Sequence, residues 1–113
     1  MSCKIHSLPM FDRAAKKFSK KFPSFKKDFQ GLLQDLQANP YLGVDLGHGL
    51  RKVRLAISSK GKGKSGGARV ITLVVEINEE QTEIGLQYIY DKSERESLTD
   101  KELTDILRQN GVL

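Results

Sequence analysis

Arg69-Val70-Ile71-Thr72-Leu73-Val74-Val75-Glu76-Ile77 is the stretch on which the fold turns. Six of its nine residues are β-branched; their stiff χ1 suits a pleated surface, so the run predicts a strand. Immediately before it, Ser58 to Gly67 contains only Gly, Lys and Ser, too polar to pack and too flexible to be regular. Earlier still, Leu50 to Ile57 alternates, with Val53, Leu55 and Ile57 on one face and Lys52, Arg54 and Ala56 on the other. That pattern predicts a strand with a basic face. Beyond the central run, Asn78 to Gln81 reads as a turn. Thr82 to Tyr90 then reads as a third strand, with Ile84, Leu86, Tyr88 and Tyr90 at period two. The three strands form an antiparallel meander.

Towards the N-terminus the period changes. Lys4 to Leu8 predicts a short strand closed by Pro9. Phe11, Ala15, Phe18 and Phe22 follow at spacings of 4, 3 and 4, one face of a helix that Pro23 breaks. A second helix starts near Ser24, carries Phe25, Phe29, Leu32, Leu33 and Leu36, and stops at Asn39-Pro40. The pair reads as a helical hairpin. A glycine-rich loop holding Gly43, Gly47, His48 and Gly49 leads to the basic strand. At the other end, Thr99 and Glu102 have the spacing of a capping box, and Leu103, Ile106 and Leu107 give the helix an apolar stripe before Gly111. The expected class is α+β: an N-terminal strand, a helical hairpin, a three-stranded antiparallel meander and a C-terminal helix. In that arrangement the helices lie on one face of the sheet, and the other face is left for function.

The chain of 113 residues, 38% of them hydrophobic, is one domain spanning 1–113, able to bury one modest core. Cys3 is the only cysteine, so no intramolecular disulfide forms, and His6 and His48 stand too far apart for the usual zinc patterns. No metal and no cofactor is expected. The first residues lack the apolar stretch of about 7 to 15 residues of a signal peptide, and no run approaches the roughly 18 apolar residues of a membrane span. A reduced, cytoplasmic protein without membrane contact is the expectation.

Charge is divided unevenly along the chain. Residues 1–69 hold 15 basic and 4 acidic side chains, whereas residues 70–113 hold 4 basic and 10 acidic. A polyanion-facing surface follows for the first part, with nucleic acid the commonest polyanion; the alternative is an acidic tail folded over a basic face. Gly63-Lys64-Ser65 ends like a phosphate-binding P-loop, and Gly61, Gly63 and Gly66 satisfy G-x-G-x-x-G. Both motifs need a helix next, and here a strand follows. More telling are Lys52, Arg54, Lys60, Lys62, Lys64 and Arg69, six cations converging on one hairpin. Like charges crowded on a sheet repel unless an anion joins them, and the flat fork of arginine suits a phosphate.

Three blocks carry a resemblance: Leu50-Arg51-Lys52-Val53-Arg54-Leu55-Ala56; Gly61 to Ile71; and Tyr90-Asp91-Lys92-Ser93-Glu94 with Leu98-Thr99. In combination and order they resemble the RelE/HigB superfamily of bacterial toxins, HigB-like members above all. The resemblance implies a RelE-like microbial RNase fold and a ribosome-dependent mRNA endonuclease, an mRNA interferase that cuts A-site codons. Its partners would be the ribosome with its mRNA and a cognate antitoxin protein that neutralises it. Its chemistry would be metal-independent: the RNA 2′-hydroxyl attacks the adjacent phosphate in line, while the protein supplies a proton acceptor, cations and a proton donor.

By position, Lys52, Arg54, Arg69 and Lys92 are the implied catalytic residues, with Arg69 on the scissile phosphate and Lys92 near the leaving group. Arg51, Lys62 and Lys64 are implied to hold flanking RNA. Because a guanidinium stays charged, Arg54 is a poor base, which leaves Lys52; His48 is a second candidate for proton transfer, or a surface histidine. Tyr88 or Tyr90 either stacks on a base or belongs to the core. Arg13, Lys16, Lys17, Lys20 and Lys21 either touch RNA phosphates or form a solvated helix face. Two rival functions stay open: a non-catalytic ParE-like inhibitor of DNA gyrase, and an RNA-binding module without a reaction.

Overall fold

The computed structural model of the protein describes residues 2–113. In chain order its strands are β1 (Ser2–Ser7), β2 (Val44–Gly47), β3 (Leu50–Leu55), β4 (Ala68–Glu76) and β5 (Gln81–Asp91). Its α-helices are α1 (Pro9–Lys21), α2 (Phe25–Ala38) and α3 (Asp100–Gln109). The strands form one sheet in the order β1-β5-β4-β3-β2, in which β1 runs parallel to β5 and every other pair is antiparallel. The class is α+β, and β4 lies at the sheet centre, as its composition demands.

Three parts of the expected arrangement are corrected. First, the sheet has five strands, because the glycine-rich loop before β3 contains β2. Only four residues long, β2 shows no alternation; it is made by its turn, where Gly47, His48 and Gly49 take φ of 88°, 56° and 84°, a bend that glycine adopts without strain. Gly43 lets the chain reach β3: a Cβ there would stand 2.4 Å from the Lys52 carbonyl oxygen. Second, Ser58–Lys60 is a turn of 3₁₀-helix rather than irregular. Asp28 on α2 anchors it, accepting from the Ser58 backbone N–H at 2.9 Å and the Ser58 hydroxyl at 2.6 Å.

Third, the helices occupy both faces. α1 and α2 cover one face with Phe11, Phe18, Phe25, Leu32 and Leu36, packed on Val53, Leu55, Val70, Ile84, Leu86 and Ile89. α3 covers part of the other, setting Leu103 against Leu50, Ile71 and Tyr90. A bulge in β5 makes this possible. Ile71 pairs with Tyr88 and Thr72 with Leu86, leaving Gln87 as the extra residue; one inserted residue exchanges the faces of all that follow. Ile84 and Leu86 therefore face α1 and α2, whereas Tyr88 and Tyr90, expected on their side, face α3. Gln87 is buried, and both its carbonyl and its Oε1 accept from Asn110 Nδ2, at 3.0 and 2.9 Å. Asn110 Oδ1 in turn accepts from the Met10 backbone N–H at 2.8 Å, joining the end of α3 to the start of α1.

The predicted capping box of α3 is present: Thr99 Oγ1 accepts from Glu102 N–H at 3.1 Å, and the Glu102 carboxylate accepts from Thr99 N–H at 2.9 Å. Arg95 clasps the same carboxylate through both terminal nitrogens. That clasp, with the cap bonds behind it, holds Glu102 down to about 2. Thr99→Ala is expected to lower stability by about 1 kcal/mol, read as a lower midpoint in urea with an unchanged slope. No helix among the described residues is long and apolar enough to cross a membrane.

Candidate nucleic-acid interface

Register alone builds the centre of the site. On the face shared with α3, Arg54 stands opposite Arg69 and Arg69 opposite Tyr90; one rung away, Lys52 stands opposite Ile71 and Ile71 opposite Tyr88. Directly opposed side chains in an antiparallel pair lie about 5 Å apart at Cβ, so two arginine side chains leave the sheet from one rung, Arg69 buried and Arg54 exposed. None of Lys52, Arg54 and Arg69 forms an ion pair with a carboxylate among the described residues.

Arg69 is 4% exposed. Its Nη1 donates to the carbonyls of Lys64 at 2.9 Å and Ala68 at 3.1 Å, and its Nη2 to that of Ser65 at 3.2 Å. The polar loop thus folds over the guanidinium while Lys62 and Lys64 stay exposed on its outer side. Gly67 closes the loop against β3, where a Cβ would stand 2.1 Å from the Leu55 carbonyl oxygen. Lys52 Nζ donates to Ser97 Oγ at 3.2 Å, on the segment between β5 and α3. Lys92 extends the ladder by one rung, its N–H donating to Gly67 O at 3.1 Å, and its ammonium pairs with Glu96 at 3.3 Å.

Beside these cations the Tyr88 and Tyr90 rings stack with centroids 6.4 Å apart. Tyr88 also lines a groove of about 550 Å³ with Arg13, Lys16, Lys17 and Lys20 of α1, so the exposed basic helix face borders Tyr88. Arg95 and Ser97 had no signature in the sequence, since single residues in a polar connection acquire a place only when the connection folds back.

Other predicted residues lie elsewhere. Arg51 projects to the opposite face, where Nε and Nη2 donate to the carbonyls of Leu42 at 3.2 Å and Gly43 at 2.9 Å. It clamps the approach to β2. Lys60 has left the cluster as well: its ammonium meets Asp91 at 2.6 Å and lies over the Phe22 ring. His48 sits in the β2–β3 turn, beyond the end of β3 remote from Arg54, beside an apolar groove lined by Leu46, Leu50, Leu73 and Leu103. No three His, Cys, Asp or Glu side chains converge to hold a metal ion among the described residues. The glycine tract leads into β4 and not into a helix, so its amides lack the helix N-terminus that a nucleotide loop uses.

No profile of a known protein family and no curated protein sequence matches the chain. What the site does must therefore be argued from its own chemistry. Two guanidinium groups on one rung and an ammonium on the next can hold one phosphate and take up charge that develops on it. The partly exposed Tyr88 ring and the basic helix offer surfaces for neighbouring bases and phosphates.

Proposed function

We propose that the protein is an mRNA interferase toxin, a ribosome-dependent endoribonuclease of the RelE/HigB kind with a RelE-like microbial RNase fold. A cognate antitoxin would neutralise it in the cytoplasm. The observation that carries this reading is the rung of Arg54 and Arg69 with Lys52 beside it, unpaired by any carboxylate among the described residues. Such a constellation is destabilising until an anion enters it.

In the proposed reaction the ribose 2′-hydroxyl attacks the adjacent phosphorus and the 5′-oxygen of the next nucleotide leaves. The products are a 2′,3′-cyclic phosphate and a 5′-hydroxyl end. Lys52 is the proton acceptor for the attacking hydroxyl, and its position across from Ile71 leaves it only partly buried. Arg54 and Arg69 hold the non-bridging oxygens as charge builds on them. Lys92 gives a proton to the departing oxygen, and Lys62 and Lys64 hold flanking phosphates. No metal takes part in this scheme.

The test is end-mapping of an mRNA incubated with the protein, with and without translating ribosomes. Cuts inside codons that appear only with ribosomes support the reading. Arrested growth with intact mRNA overturns it in favour of a gyrase inhibitor; bound but uncut RNA overturns it in favour of a binding module.

A further inference from the structure

Tyr90 is 5% exposed, yet its hydroxyl has no hydrogen-bond partner among the described residues. A buried hydroxyl without a partner forfeits its hydration for nothing, so the position calls for an acceptor that the described residues do not supply. Across the rung stands Arg69, whose bonds run only to backbone carbonyls, two of them on the overlying loop. One member of this buried pair is a cation lacking an anion; the other is a neutral donor lacking an acceptor.

We infer that the Tyr90 hydroxyl and the Arg69 guanidinium form one binding site for a phosphodiester, Tyr90 donating to one non-bridging oxygen and Arg69 to the other, after the Lys64 and Ser65 carbonyls give way. A phosphodiester fits because its single charge is spread over two oxygens in different directions, which one planar fork does not span alone. The other charged groups facing the hydroxyl are Arg95, Glu96 and Glu102. Burial raises the hydroxyl above the ordinary tyrosine range, against the pull of Arg69 and Arg95, so it keeps its proton to give. Tyr90 thereby acts through its hydroxyl, a role distinct from base stacking. The inference deepens the endonuclease reading and rests on it only for which phosphodiester is bound.

Tyr90→Phe keeps the ring in its core place and removes only the oxygen. Thermal unfolding is measured in inorganic phosphate and in chloride at equal ionic strength, for the wild type, Tyr90→Phe and the control Tyr41→Phe, whose hydroxyl meets Glu76 away from the cluster. The wild type and the control are expected to be stabilised specifically by phosphate. Tyr90→Phe is expected to unfold at a higher temperature than the wild type in chloride and to bind phosphate about tenfold more weakly, the range of one hydrogen bond to a charged group. A residue that only packs would not move these two quantities in opposite directions. An unchanged phosphate response in Tyr90→Phe, or none in the wild type, overturns the inference. A wild type that binds phosphate through Tyr90 but leaves translated mRNA intact overturns the endonuclease reading and leaves the anion site standing.

Discussion

Cleavage of a ribosome-bound codon by the Arg69→Ala variant is expected to fall by about 10²–10³-fold, the usual loss when one preorganised donor to a developing oxyanion is removed. Burial is the reason for so large an effect. A guanidinium held at 4% exposure acts on a bound phosphate through a poorly screened medium, and the Ala68 carbonyl still holds Nη1 once the Lys64 and Ser65 carbonyls have given way. Arg69→Lys is expected to recover little, since a point charge replaces a fork. Folding should survive both changes. Losing the carbonyl bonds is offset in part by relief of the repulsion from Arg54 directly opposite. The measurement is single-turnover cleavage on programmed ribosomes, with the thermal midpoint of each variant recorded beside it. Lys52→Ala belongs in the same series and is expected to lose cleavage as the variant without its proton acceptor. An Arg69→Ala protein that folds and cuts at the wild-type rate would show that the phosphate lies elsewhere.

The centre of this site was legible because a strand's alternation is local. Lys52 and Arg54 share a face by spacing alone, and the β-branched run from Val70 announces the strand whose first residues bring Arg69 beside them. Pairing was legible only in outline. Nothing in the composition of Gly43 to Gly49 distinguishes a loop from a four-residue strand, because β2 exists by hydrogen bonding to β3 and by three positive φ angles. The bulge at Gln87 is likewise silent in sequence: Ile84, Leu86, Tyr88 and Tyr90 keep an unbroken period of two while the backbone exchanges their faces. That exchange parts Tyr90 from Ile84 and Leu86, whose period it shares, and sets it on the cation side. Arg51 and Lys60 misled for a related reason. Their charge suggested an anion, but each finds its partner within the chain, Arg51 in two carbonyls and Lys60 in a carboxylate 31 residues away.

That carboxylate supports the largest expected effect on stability. Asp91 is nearly buried, with a side chain 6% exposed, and Oδ1 accepts from Lys60 at 2.6 Å, from the Ser93 N–H at 2.9 Å and from the Ser93 hydroxyl at 2.7 Å. Asp91→Ala would leave the Lys60 ammonium, 10% exposed, without its counter-ion beside the Phe22 ring. A cost of about 3–5 kcal/mol is expected, as for other buried pairs broken on one side. Replacing both partners, Lys60→Met with Asp91→Leu, should recover the part due to the unpaired charge, because neither charge then needs to be desolvated, while the two Ser93 donors still lose their acceptor. Urea denaturation of the two single variants and the double variant measures the coupling. The pH dependence has a definite sign. Burial pushes the Asp91 carboxyl up, but the bonds from Lys60 and Ser93 outweigh burial and hold it below the ordinary aspartate range. The native state therefore binds this proton less readily than the unfolded chain. The pair's stabilisation is complete above the unfolded value, about pH 4, and is lost as pH falls through the lower folded value. In Asp91→Ala this component of the acid limb should vanish. The pair also reaches the site, because Lys60 anchors the first turn of the loop whose next residues cover Arg69. Lys60→Met with Asp91→Leu should thus fold better than Asp91→Ala yet cleave more slowly than the wild type, and wild-type cleavage would mean that the loop needs no anchor at Lys60.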